Sequence, residues 1–318
     1  MAGSKHLVDA ELAPALAFFP EWTFSADTLP AIRAGFVEQF AAVGEPESPP
    51  YSVEERQVPG PAGAPDVRVL VIRPLDLKTP APALLHIHGG GYVIGSVEMA
   101  KLPQGLMAAE VGCVVVSVDY RLAPETPHPG PVEDCYAALK WLHANAAALG
   151  VDPARIAVGG ESAGGGLAAN LAWLARDRGE VPLVFQHLIY PMLDDRTCTA
   201  ADPHPFTGEF VWTPASNHYG WSSLLGHPPG ETSVTPYVAA ARSADLSGLP
   251  PTFISVGALD LFVEENLEYA RRLMRAGVPV ELHVYPGAFH GFNMNPSART
   301  SQSALRDSRE AVRRALMG

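Results

Sequence analysis

Cysteine is scarce: Cys113, Cys135 and Cys198 are the three in a chain of 318 residues, and no two form a C-x-x-C pair. That excludes a disulfide scaffold and the common structural zinc clusters, and a chain of this length has core enough without either. Three separate thiols point to a reducing compartment, with the cytoplasm as the expectation. Basic residues are few as well, 22 Lys and Arg against 34 Asp and Glu, a net charge of −12. A nucleic-acid binder needs clustered cations to displace counterions from phosphates. Groups such as Arg271, Arg272 and Arg275 fall instead at the spacing of a solvated helix face. No run approaches the ~18 consecutive apolar residues that cross a bilayer. The opening stretch MAGSKHLVDAELAPALAFFP has a single Lys and carries Asp9 and Glu11 inside its apolar part, unlike a secretory signal. No internal repeat and no low-complexity tail is present.

What remains is a globular balance, 47% hydrophobic and 18% charged, with 29 Gly and 31 Pro spread along the chain as turns. The first fifty residues read as helical, interrupted by Pro14, Pro20 and Pro30 and closed by the turn-rich stretch 44–50. Residues 52–58 and 67–73 alternate as strands do, and the Pro/Gly cluster 59–65 between them predicts a hairpin. Beyond Pro82, short apolar runs at 83–87, 113–118, 155–158, 183–190, 252–256 and 280–285 alternate with helical periodicity at 98–110, 131–148, 163–177, 264–276 and 303–317. That rhythm predicts an α/β chain with a mostly parallel sheet covered on both faces. Ligands of such sheets gather at the carboxyl ends of the strands. The segment from about 191 to 250, rich in Pro, Trp, Tyr and His, breaks the rhythm. It is too long for a structureless loop and is read as an inserted helical subdomain, forming a lid with residues 1–50.

Gly160-Glu161-Ser162-Ala163-Gly164 fits G-x-S-x-G between a strand and a helix. A serine on so sharp a turn has a strained backbone, and its flanking residues must lack side chains for the turn to close. Taken alone this pattern also suits an ordinary Gly/Ser turn. A second motif, His88-Gly89-Gly90-Gly91, follows the strand at 83–87 and frees backbone N–H groups to converge on an anion. Gly90, Gly91 and Ala163 are the candidate oxyanion donors, with Gly89 close by and His88 as a structural support of the loop. A serine nucleophile needs a base, and the base an orienting carboxylate, in the chain order Ser, acid, His. His290 and Asp260 each stand a few residues past one of the last strands. Asp245, Glu264 and Glu265 are the alternative acids. His6, His143, His187 and His283 read as surface or core residues, and His204, His218 and His227 lie in the insertion. His86 and His128 occupy no position suited to the base. Asp194 and Asp195 precede the insertion and are expected to orient it.

Together HGGG at 88–91, DYRLAPE at 119–125, GESAGG at 160–165, Asp260 and HGF at 290–292 resemble the hormone-sensitive-lipase-like family of α/β-hydrolases, the bacterial family IV esterases. The resemblance runs from about residue 50 to the C-terminus. It implies carboxylic-ester hydrolysis without cofactor or metal. A catalytic domain over 51–318 would carry a cap made of residues 1–50 and the 191–250 insertion, and homodimers are frequent. DYRLAPE becomes a structural loop, and the strand at 280–285 is expected at a sheet edge able to pair across a two-fold axis. At Glu161 many relatives carry Asp or Thr; its charge is expected to stay out of direct contact with the nucleophile and to pin a neighbouring loop. Ser162, His290 and Asp260 are thus expected to hydrolyse small monoesters of short to medium acyl chain, neither nucleic acid nor membrane being a partner. Phe18, Phe19, Phe210, Trp212 and Trp221 are expected around an apolar substrate cavity. An amidase, formamidase or deacetylase remains a rival on the same machinery. So does a non-enzymatic small-molecule receptor, although receptors on such a fold tend to lose the base, and His290 is intact.

Overall fold

The computed structural model describes residues 3–41 and 47–318; residues 44–46 of the expected turn-rich stretch lie outside them. Strands β1 (Tyr51–Val58), β2 (Val67–Pro74), β3 (Ala81–Ile87), β4 (Val114–Asp119), β5 (Val151–Glu161), β6 (Phe185–Ile189), β7 (Thr252–Gly257) and β8 (Val280–Tyr285) form one sheet in the order β1-β2-β4-β3-β5-β6-β7-β8. The expected hairpin supplies β1 and β2, which pair antiparallel, and β2 runs antiparallel to β4. From β4 to β8 every pairing is parallel. The reason is in the side chains: β3, β6 and β7 are apolar enough to be buried along their whole length, as strands covered on both faces must be. The edges differ. β1 exposes its middle, with Glu54, Glu55 and Arg56 in place of a bare apolar edge, and β8 closes the other end of the sheet.

Helices α1 (Leu29–Ala41), α2 (Lys101–Val111), α3 (Gly130–Ala144), α4 (Ala146–Leu149), α5 (Ala163–Arg178), α6 (Pro214–Leu225), α7 (Val263–Arg275) and α8 (Arg299–Met317) complete the chain. Apolar residues of α3, α5 and most of α7 pack with one face of the sheet, and those of α2 and α8 with the other. The single helix expected over 131–148 is broken at Asn145, which leaves the helical region at φ −103° and ψ 12°. No helix among the described residues is long and apolar enough to cross a membrane.

Two expected helical segments are largely irregular. The N-terminal segment contains 3-10 turns at Ser4–Leu7 and Ala13–Phe18 before α1, because Pro14 and Pro20 remove the donors a longer helix needs. Between residues 191 and 250 the described α-helix is α6 alone, with 3-10 turns at Thr197–Thr199 and Ala240–Arg242. Prolines 203, 205, 228, 229 and 236 limit the rest. The two segments meet: Ser4 Oγ donates to Glu209 Oε2 at 2.6 Å. Phe24 packs edge-on to Trp212 and stacks on Tyr219, with ring centroids 5.7 and 5.6 Å away. Asp195, expected to orient the insertion, is buried within it and pairs with Arg242 at 2.9 Å.

Candidate active site

Ser162 sits between β5 and α5 with φ 57° and ψ −121°, a strained backbone for a residue with a Cβ. Its surroundings leave no alternative. The Ser162 N–H donates to the Ile189 carbonyl at 2.9 Å, and its carbonyl accepts from Gly166 at 2.9 Å and Met192 at 3.0 Å. The flanking glycines are needed for a steric reason: a Cβ on Gly160 would lie 2.3 Å from the Ile87 carbonyl oxygen, and one on Gly164 2.0 Å from the same atom. The end of strand β3, which pairs with Gly160, therefore lies against the turn at a distance that only glycine permits.

Ser162 Oγ lies 2.9 Å from His290 Nε2, and His290 Nδ1 lies 2.8 Å from Asp260 Oδ2. Asp260 is fully buried and its second oxygen accepts from the Phe262 N–H at 2.9 Å. Because the carboxylate only accepts, Nδ1 carries the ring hydrogen and Nε2 offers its lone pair to the serine hydroxyl. Edge-on rings of Tyr190 and Phe262, with centroids 4.7 and 5.2 Å from that of His290, hold the imidazole plane. The alternative acids face elsewhere. Asp245 accepts from the Ser247 N–H at 2.8 Å and Glu265 from the Leu193 N–H at 2.6 Å.

The loop after β3 turns through Gly90 at φ 122° and Gly91 at φ 57°. His88 Nδ1 meets the Gly89 carbonyl at 2.8 Å, and its ring stacks on Tyr120, whose hydroxyl donates to the His88 carbonyl at 3.0 Å. Burial lowers His88 to about 4, so it is a neutral ring at pH 7 and supports the loop. Tyr120 belongs to the 119–125 segment, which thereby props the glycine loop. Gly90 turns its carbonyl away, accepting from Val93 and Ile94 at 3.0 Å each. Among the described residues, the N–H groups of Gly90, Gly91 and Ala163 have no hydrogen-bond acceptor. A bound oxyanion fits such unsatisfied donors.

Ser162 and His290 open onto a cavity of about 200 Å³. Of the three side chains expected to bind substrate, Trp212 is on its wall, where the indole N–H is fixed by Asn217 Oδ1 at 3.1 Å. Trp221 is instead wholly buried against Tyr92 in the main core, and Phe210 turns toward Phe289, with centroids 6.1 Å apart. The chain takes φ 63° at Val211, and it is Val211 and Trp212 that face the cavity. Phe19 lines the wall, whereas Phe18 is 74% exposed. None of His204, His218 and His227 does so. Trp22, Phe36 and Tyr190 line it too; of these, Tyr190 alone had a signal, as the residue that ends an apolar strand. His187 is a core residue, with Nε2 2.7 Å from Ser308 Oγ.

Glu161 does tie neighbouring elements together, accepting from His86 Nε2 at 2.8 Å and Gln104 Nε2 at 3.1 Å, but it also reaches the cavity wall. Burial opposes its charge; the His86 ring outweighs that opposition and holds the carboxyl below its ordinary value. Among the described residues no group of three or more His, Cys, Asp or Glu is placed to hold a metal ion.

This geometry has counterparts. The sequence profile of the alpha/beta hydrolase fold matches residues 84–294. Carboxylesterase NlhH of Mycobacterium tuberculosis is 38% identical over 290 residues, 90% of this chain and 88% of NlhH. Esterase LipI of the same organism is 35% identical over 252 residues, covering 78% of this chain and 77% of LipI. Among solved structures, a bacterial heroin esterase superposes with a TM-score of 0.93 at 42% identity, over 98% of this chain and 99% of that one.

Proposed function

This chain belongs to the α/β-hydrolase fold family, as a carboxylic ester hydrolase of its hormone-sensitive-lipase-like branch, and we propose that it cleaves small esters of short to medium acyl chain through Ser162, His290 and Asp260. The observation that carries this reading is the unbroken hydrogen-bonded line from Ser162 through His290 to the buried Asp260. As Oγ attacks the ester carbonyl, His290 Nε2 takes its proton, and Asp260 steadies the imidazolium and its orientation. The carbonyl oxygen gains charge and is received by the N–H groups of Gly90, Gly91 and Ala163, donors whose individual loss costs about 3–4 kcal/mol in comparable sites. His290 then protonates the departing alkoxide, and water activated by the same ring hydrolyses the acyl-enzyme.

The N-terminal segment and the 191–250 insertion act as the cap. Phe19, Trp22 and Phe36 come from one, Val211 and Trp212 from the other, and all stand on the wall of the Ser162 cavity. A volume of about 200 Å³ is below the range of about 300–1,000 Å³ usual for drug-sized ligands, which favours small esters over long lipid chains. A fluorophosphonate probe tests the nucleophile: it should label the native chain at Ser162 and leave S162A unlabelled and inactive. Full activity in S162A, or a nitrophenyl ester series peaking at palmitate, contradicts the corresponding half of the proposal.

A further inference from the structure

Acyl transfer as described leaves one ionised group on the cavity wall unused. The two donors on Glu161, from His86 and Gln104, occupy about half of the roughly four lone-pair positions of a carboxylate. Its side chain keeps 27% of its surface accessible. Gln104 turns its amide nitrogen to that carboxylate, which can only accept, so its own Oε1 is left over. That oxygen is buried and receives no hydrogen bond, although Gln104 lines the same cavity. A carboxylate with open lone pairs therefore stands on a wall with no Arg or Lys among the described residues. The rings of Phe19, Trp22, Phe36, Tyr190 and Trp212 close the remaining space, and aromatic faces attract cations. A second carboxylate brought here would be buried without a partner, a costly state.

We infer that this cavity selects esters that carry a protonated amine, with Glu161 as the acceptor that determines the preference. The inference rests on Ser162 as the nucleophile of this cavity. A protonated amine supplies a charged N–H donor to the lone pairs of Glu161 that His86 and Gln104 leave open. A neutral alkyl ester of the same shape fills the space but makes no charge-assisted hydrogen bond to Glu161.

The test compares 2-(dimethylamino)ethyl acetate with 3-methylbutyl acetate, in which a neutral C–H replaces the N–H⁺. Each kcat/KM, measured where the amine is protonated, is divided by the second-order rate constant of that ester with hydroxide in the same protonation state, which removes the difference in intrinsic reactivity. The native chain should prefer the amine about tenfold, equivalent to about 1.4 kcal/mol. In E161Q the normalised ratio should fall to about one, whatever happens to the absolute rates. A native ratio of one or less overturns the inference, and so does a ratio that E161Q leaves unchanged. Should E161Q not fold, E161D takes its place: withdrawing the carboxylate by one methylene should lower the ratio about threefold, and an unchanged ratio again overturns the inference. If neither acetate is hydrolysed and the fluorophosphonate does not label Ser162, the esterase mechanism itself fails and this inference with it. Hydrolysis of both without preference defeats the inference alone.

Discussion

Replacing Asp260 by Asn exchanges a buried acceptor for a donor at the point where His290 is held. In the native chain Asp260 Oδ2 faces His290 Nδ1 at 2.8 Å and Oδ1 receives the Phe262 N–H at 2.9 Å. Asparagine keeps the second contact through its amide oxygen, so its NH₂ group must face Nδ1. The imidazole then accepts at Nδ1 and carries its hydrogen on Nε2, where it meets Ser162 Oγ as a donor and cannot take the serine proton. Such a tautomer reversal costs about 10⁴ in kcat, or about 5 kcal/mol in the barrier. Stability should change little, because the buried Phe262 donor stays paired. D260A is different: it orphans the Phe262 N–H and the His290 Nδ1–H together, at about 1–3 kcal/mol each, and should unfold earlier in urea. The assay is kcat/KM on p-nitrophenyl butyrate for D260N, D260A and the control D245N, alongside urea midpoints. A folded D260N within tenfold of the native rate, or a D245N that loses activity as D260N is expected to, refutes this account of the acid.

At Gly91, where φ is 57°, an alanine Cβ would meet the Trp212 indole at 2.0 Å; G91A should lose about 10²-fold or more in kcat through displaced oxyanion donors, and G91A/W212A should regain part of it. W221A should cost about 3–5 kcal/mol of stability as a core truncation, read in urea, with KM little changed, whereas W212A, which truncates a buried ring that also lines the cavity, should raise KM as well; a KM that moves in W221A and not in W212A would contradict the placement of the two indoles. Burial lowers His88 and His187 to about 4 from an ordinary 6.5, so between those values the unfolded chain binds protons that the folded one refuses. Stability should therefore fall as pH drops from about 6.5 to about 4, by up to about 3 kcal/mol per ring, and H187N should flatten that slope; a midpoint independent of pH over this window would contradict it.

The strands were legible because central parallel strands must be apolar throughout, and every expected run lies on a strand of the sheet. Ser162 and the glycine loop were legible because their glycines answer to backbone contacts, at Gly164 and Gly160 against Ile87. The cavity wall was not. Trp212 and Trp221 stand nine residues apart in one segment with the same chemistry, yet one faces the cavity and the other the core. What separates them is the turn at Val211 and the packing of α6, neither of which leaves a period in the sequence. Gln104 gave no sign at all, since its role depends on a carboxylate that is adjacent in space but 57 residues along the chain.

The meeting of residues 162, 260 and 290 depends on a strand that supplies none of them. Ser162 follows β5, Asp260 follows β7 and His290 follows β8, with β6 between the first and second. Neighbouring strands are about 4.8 Å apart, so β5 and β7 are separated by about 10 Å, more than a hydrogen bond can span. The loops after β7 and β8 must fold back over β6. The end of β6 makes this possible: the Ile189 carbonyl holds the Ser162 N–H, the Tyr190 N–H reaches the Ser255 carbonyl on β7, and the Tyr190 ring meets His290 edge-on. Tyr190 takes φ 36° to do so. It links the turn that carries Ser162 to the loops that carry His290 and Asp260, so the whole arrangement is joined at the close of β6.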